Sequence, residues 1–280
     1  MNPRNYQKEF DRILRDLEKD GRVPHLLLHS CCGPCSSYVL EYLAPFFKIT
    51  VFYDNPNIQP RAEYDHRLAE QRRVIAHIDA PHGIDLIEGD YDPRRYAEAV
   101  RGLTHLPEGS ERCFACYRFR MEAAAALAKE LGCDYFTTTL SISPYKNAER
   151  INAIGEDIAA KAGIAHLPND FKKRGGYQRS IVLCREWDIY RQHYCGCIYS
   201  QREWVSRCQR HLGCEPTEAE AETSRCQRHL GCESTEAEAE TSRCQRHLGC
   251  EPTEAEAETS RCQRHLGCEP TEAEAETSRC

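Results

Sequence analysis

A parallel α/β fold is the prediction for roughly the first 205 residues of this 280-residue chain. Short apolar runs rich in leucine, isoleucine, valine and aromatic residues alternate with longer segments of helical spacing, as in βαβ units of a doubly wound sheet. The first such run, His25-Leu26-Leu27-Leu28, ends in a polar turn, His29-Ser30-Cys31-Cys32-Gly33-Pro34-Cys35-Ser36-Ser37, and a helix-compatible pattern follows. Turns at the carboxyl ends of parallel strands are where such proteins place their chemistry. A body of this length is also enough for one domain with a substantial core.

Taken in order, Phe10, Ile13, Leu14 and Leu17 fall at helical spacing and Gly21 can stop that helix. A strand over residues 26–29 leads into the cysteine turn and a helix to about residue 42. Residues 49–53 alternate and read as a second strand. A polar loop with Pro56 and Pro60 comes next, then a strongly helical segment to about residue 79. A weak strand at 85–88 and a short helix at 93–101 precede Arg112-Cys113-Phe114-Ala115-Cys116, which opens a long helix stopped at Gly132. Residues 135–139 form another strand, followed by a helix over 148–162 and a strand near 164–167. A last helix over 180–194 delivers Cys195-Gly196-Cys197.

From Ser206 onward an 18-residue unit, beginning Ser-Arg-Cys-Gln-Arg-His-Leu-Gly-Cys, runs four times and breaks off at Cys280. Ser234, where the other copies have proline, is the one difference, a pattern of recent duplication. Each unit has a single leucine, too little apolar surface to offset ordering entropy, so residues 206–280 read as a mostly disordered tail. Cys208, His211 and Cys214 have metal-like spacing in every copy, which a duplicated tract produces without selection for binding. The tail holds nine arginines and sixteen glutamates, which account for the net charge of −7. The body is balanced at 28 of each sign, so nucleic-acid binding requires a local basic patch.

Nine of the 18 cysteines lie in the body. The N-terminus is polar and amphipathic, unlike a signal peptide, and no apolar stretch approaches the roughly 20 residues that span a bilayer. A reducing, cytoplasmic compartment is therefore expected, where cysteine pairs more often serve metal or redox chemistry than structural disulfides. Cys113 and Cys116 form a C-x-x-C at a helix N-terminus, where backbone N–H groups favour thiolates; zinc, a redox dithiol and chance are all compatible with it. With Cys31 and Cys32 it supplies four thiolates, the complement of an iron–sulfur cluster or a tetrahedral zinc. Adjacent cysteines are unusual in structural zinc sites, which favours the cluster. Cys195-Gly196-Cys197 suits an easily reduced dithiol, or two further ligands. Cys35 is a spare ligand, a ligand to a second metal, or a packing residue. Cys133 and Cys184 read as core, and His29 as a hydrogen-bonded orienter rather than a ligand. Lys172-Lys173-Arg174 and the arginines 112, 118 and 120 offer a basic surface near the cysteines, with Tyr145 or Tyr177 able to stack on a base.

Together these residues resemble the cobalamin-independent epoxyqueuosine reductase family. The resemblance is carried by His29 to Ser37, Tyr53-Asp54-Asn55-Pro56-Asn57-Ile58, Glu63-Tyr64 with Arg67, Cys113 to Cys116, and Gly132 through Pro144. It continues in Lys146-Asn147, Phe171-Lys172-Lys173, Gly176-Tyr177, Tyr190-Arg191-Gln192 and Tyr194-Cys195-Gly196-Cys197, and spans residues 22–204. It implies a Rossmann-like domain of the adenine-nucleotide α-hydrolase kind. Ser30-Cys31-Cys32-Gly33 stands where related ATP pyrophosphatases carry a Ser-Gly-Gly-x-Asp-Ser loop, so ATP use is not expected.

The implied reaction reduces the epoxide of epoxyqueuosine in tRNA to an alkene, the last step of queuosine biosynthesis, with an unidentified electron donor and no cobalamin. Cys31, Cys32, Cys113 and Cys116 match the ligands of a 4Fe–4S cluster, and Cys195 with Cys197 matches a redox-active disulfide. Asp54, or Cys35 through an additional iron, is a candidate to activate the epoxide oxygen. The alternatives are a cluster-dependent tRNA sulfur transferase and a non-catalytic zinc-binding module.

Overall fold

The computed structural model describes residues 4–212. Five strands form one parallel sheet: β1 (His25–His29), β2 (Lys48–Tyr53), β3 (Ile84–Glu88), β4 (Tyr135–Thr138) and β5 (Ala165–His166), in the order β3-β2-β1-β4-β5. The chain winds outward from β1 through β2 to β3, then crosses to the other side of β1 to lay down β4 and β5. The direction therefore reverses between β1 and β4, and their carboxyl ends flank the crevice where open α/β sheets bind ligands. β1 is central, and Leu26, Leu27 and Leu28 are all fully buried, as expected of a strand covered on both faces.

Among the described residues there are eight α-helices. α1 (Tyr6–Lys19) is capped by the Asn5 side chain and buries Phe10, Leu14 and Leu17. α2 (Gly33–Leu43) begins directly after the paired cysteines, with Cys32 as its N-cap residue and Pro34 in its first turn, a position that lacks no hydrogen bond. α3 (Arg61–Ala76), α4 (Pro93–Ala99), α5 (Glu111–Glu130) and α6 (Ala148–Ala162) follow in the predicted order. One apolar cluster joins α1, α2 and the sheet through Phe10, Val39, Leu40 and Phe47; a second joins α5 and α6 to it through Met121, Phe136 and Ile151.

The C-terminal part departs from the predicted pattern. The helix expected over 180–194 is α7 (Gly176–Glu186), and the chain then leaves helical geometry. Asp188 adopts φ 49°, and Ile189, 5 % exposed, turns into the core. Residues 187–196 run as an irregular strap along α3, whose side chains take up the strap's backbone groups. Arg73 donates to the carbonyls of Trp187 (3.1 Å) and Asp188 (3.0 Å). Glu70 accepts from Tyr190 N–H (2.7 Å), and Arg67 donates to the carbonyls of Tyr194 and Cys195. α8 (Ile198–Leu212) follows the strap. It runs through the expected boundary at residue 205 and takes in the first seven residues of the repeat unit. The rest of the repeat array, with Cys214 and the predicted disorder, lies outside the described residues.

Gly176, the first residue of α7, sits where a Cβ would meet the Phe171 carbonyl oxygen at 2.1 Å and the Tyr38 ring at 2.4 Å. Gly176→Ala is expected to destabilise the protein by about 1–3 kcal/mol, as other overpacking changes do, read as a lower urea midpoint with unchanged slope.

Candidate active site

Cys31, Cys32 and Cys35 come together at the β1–α2 turn. Their sulfurs lie within 4.8 Å of one another, with Cys31 and Cys32 at 3.8 Å, and among the described residues they are the one such group with the donors of a metal site. The turn is held from both neighbouring strands. Asn55, beyond β2, donates to the Ser30 carbonyl (2.8 Å). Thr139, beyond β4, accepts from Cys31 N–H (3.1 Å) and donates to Cys31 Sγ (3.3 Å). On either side of Thr139 in sequence, Thr137 and Ser141 bond Asn169, which exchanges hydrogen bonds with Asn152 of α6. His29 is fully buried with Nδ1 2.9 Å from Thr138 Oγ1, and burial depresses its pKa to about 3, so it is a neutral orienter as expected.

The C-x-x-C occupies the first turns of α5. Cys113 accepts from Gly109 N–H (3.3 Å) and packs at the edge of the cluster that contains Cys31 and Cys32. Cys116 packs with Cys197, Tyr96 and Val100. Neither belongs to the converging group of three, so Cys35, expected as a spare or second-metal ligand, stands with the adjacent pair while Cys113 and Cys116 stand apart from it. Burial pushes the Cys113 thiol up and the Cys116 thiol up to about 12. Desolvation thus outweighs the helix N-terminus, which was expected to favour thiolates here. In the trio, hydrogen bonds from Cys32 and then Cys35 hold Cys31 well below the usual thiol range, while burial lifts Cys32 to about 12.

The strap leads into Cys195 and Cys197. Gly196 adopts φ 115°, and a Cβ on it would lie 2.8 Å from Ile58 and 3.0 Å from Arg67 Nη1, so only glycine lets the turn sit this close to α3. Cys195 and Cys197 are free thiols, and burial raises Cys195. Gln192, also on the strap, donates from Nε2 to Cys32 Sγ at 2.8 Å.

Two cations face these thiols. Arg120 of α5 is 1 % exposed and donates from Nη1 to Asn55 Oδ1 (2.9 Å), but Nε and Nη2 have no hydrogen-bond partner. Burial opposes its charge, which sulfurs offset, Cys116, Cys195 and Cys31 in turn, and Arg120 also opposes the burial-driven rise of the Asp54 carboxyl. Lys146 is opposed by burial and favoured by Cys195, Tyr117, Cys31 and Cys35. A buried guanidinium requires anionic partners, which thiolates bound to a metal would supply beside it. The donor set and its charge therefore fit a thiolate-held metal centre.

Several sequence expectations meet this geometry differently. Cys133 (9 % exposed) and Cys184 (2 % exposed) are core residues, as read. Of the arginines beside the C-x-x-C, Arg112 and Arg120 turn inward, Arg112 lying over the Tyr199 ring, and Arg118 pairs with Asp157. Lys172 pairs with Asp170 and Arg174 with Asp11, which leaves less free positive charge than the run of basic residues indicates. Tyr145 is exposed at 69 %. Roles for Gln192, Thr139, Asn55 and Arg67 were not visible in the sequence. The polar run Thr137-Thr138-Thr139 at a strand end was the one local signal.

These features define a parallel α/β protein with a thiol-lined site at the point where its strand order reverses. The match of residues 26–203 to the family described as Epoxyqueuosine reductase QueH gives that class a particular identity: the chain belongs to this family. Relatives carrying the same description include one from Streptococcus pyogenes serotype M1, 43 % identical over 208 residues, covering 72 % of this chain and 81 % of the relative. One from Staphylococcus epidermidis is 42 % identical and covers 70 % and 84 %. One from Staphylococcus aureus is 38 % identical and covers 70 % and 83 %. The matched segment ends before the repeats begin at Ser206.

Arg67 is fully buried, bonds Glu63 (2.7 Å) and holds the strap carbonyls. Arg67→Met is expected to cost about 2–3 kcal/mol, less than a fully buried pair because Glu63 still reaches water. Amide hydrogen exchange across residues 187–196 is expected to quicken more than elsewhere.

Proposed function

We propose that this chain is an epoxyqueuosine reductase, acting on tRNA in the last step of queuosine biosynthesis, with an iron–sulfur centre held by its buried cysteines. Family membership supports the reaction, and the observation that carries the centre is the convergence of the Cys31, Cys32 and Cys35 sulfurs within 4.8 Å of one another. The conversion of an epoxide to an alkene takes up two electrons and two protons and releases the oxygen as water. Cys31, Cys32, Cys113 and Cys116 would hold a 4Fe–4S cluster, with Cys35 available to an additional iron. When bound, such a cluster supplies electrons one at a time.

The chain's own residues account for the rest. Cys195 and Cys197 as thiols carry two electrons and two protons, and their conversion to a disulfide releases both, which balances one epoxide reduced. An external donor then returns the disulfide to thiols. Asp54, just beyond β2, is 1 % exposed; burial raises its carboxyl while Arg95, 3.6 Å away, opposes this. Its burial supports a role in holding a proton for the departing oxygen. Arg120 and Lys146 keep positive charge beside the sulfurs. Among the described residues no helix is long and apolar enough to cross a membrane, which is compatible with a cytoplasmic tRNA-modifying enzyme. The catalytic unit is residues 1–205, and the repeats from Ser206 onward are an appendage to it.

Anaerobic iron and sulfide analysis with electron paramagnetic resonance tests the centre. About four irons per chain are expected in the wild type and loss of the signal in Cys113→Ala. Stoichiometric zinc without reducible iron would instead support the zinc-module reading. Cys195→Ser and Cys197→Ser are expected to retain iron yet lose multiple-turnover reduction of epoxyqueuosine tRNA; full turnover in both would remove the relay.

A further inference from the structure

The adjacent thiols receive hydrogen bonds from opposite sides: Cys31 from Thr139, beyond β4, and Cys32 from Gln192 on the strap. The Gln192 bond is the more telling. Its amide nitrogen is 2.8 Å from the sulfur, while its Oε1 is buried without a hydrogen-bond partner. A neutral thiol is a weak acceptor, whereas a thiolate accepts strongly. A side chain that leaves its own oxygen unpaired to bring an N–H to sulfur is therefore matched to an anionic sulfur. The position of Gln192 is also fixed on both sides, by Glu70 at Tyr190 N–H and by Arg67 at the Tyr194 and Cys195 carbonyls.

We infer that Gln192 is a positioning residue that holds Cys32 as a metal-bound thiolate and raises the reduction potential of the centre to which Cys32 belongs. This rests on the proposed iron–sulfur centre. An N–H···S bond withdraws charge from the sulfur, and the reduced centre carries one more negative charge than the oxidised one. The donor therefore stabilises the reduced form more. The same strap carries Cys195 and leads directly into Cys197, so one segment positions the two-electron thiol pair and also adjusts how readily the centre accepts an electron.

The test is an anaerobic dithionite titration, followed by electron paramagnetic resonance, of the full chain reconstituted with iron and sulfide. Wild type is compared with Gln192→Leu, which removes the donor, and Gln192→Glu, which has nearly the same shape and replaces it with an acceptor. Both midpoints are expected to become more negative. In Gln192→Glu the reduced-to-oxidised ratio at the wild-type midpoint is expected to fall about tenfold, equivalent to 59 mV for a one-electron couple. Partial loading leaves the readout intact, because the midpoint comes only from bound iron. A folded variant with wild-type iron content and the wild-type midpoint overturns the inference. Complete loss of iron from both folded variants overturns the tuning role as well, assigning Gln192 to retention of the centre. A wild-type chain without reducible iron overturns the reading on which the inference rests.

Discussion

The grip of α3 on the strap is the constraint on which the site depends. Glu63, Arg67, Glu70 and Arg73 recur at spacings of four, three and three, so they share one face of the helix. That face binds backbone and side-chain groups of the strap at Trp187, Asp188, Tyr190, Tyr194 and Cys195. A segment whose peptide groups are taken up by a neighbouring helix has fewer left for a helix of its own. This accounts for α7 ending at Glu186 and for the extended course of the chain to Cys197. It also places a dithiol and an amide donor beside the β1–α2 turn without a strand to carry them.

The sheet contributes the other half. Reversal of strand order between β1 and β4 leaves a crevice with one turn on each side, one bearing cysteines and the other Thr139. Neither turn is positioned by its own sequence alone. Asn55 arrives from β2, and the asparagine network flanking Thr139 extends to α6. The centre of positive charge lies below, with Arg120 buried among sulfurs. Burial raises several of these thiols, so uptake of a metal there would be coupled to proton release.

Much of this architecture was legible because it is local. Alternating apolar runs and helical segments marked all five strands and α1 to α6, and the order Cys31-Cys32 and Cys113-x-x-Cys116 marked the chemistry. The end of α7 was not legible, since residues 187–194 carry no proline or glycine to stop a helix; the stop comes from α3, far away in sequence. Inward burial of Arg112 and Arg120 was hidden for the same reason, because a charged residue in a helix usually faces solvent. Gln192 stood within a stretch that carried the resemblance, but nothing local tied it to its partner Cys32, 160 positions earlier.

α8 joins the family-matched part of the chain to the duplicated tract. Its closing residues, Ser206 to Leu212, are the opening seven of the first repeat, and each of the next three copies begins with the same seven. Removal of any whole unit, the first included, would restore the identical sequence at the end of the helix. The array can therefore gain or shed units by unequal exchange without rewriting the residues that complete the reductase body, which makes copy number close to neutral for the fold. That independence explains how near-perfect copies could accumulate directly against the family-matched body.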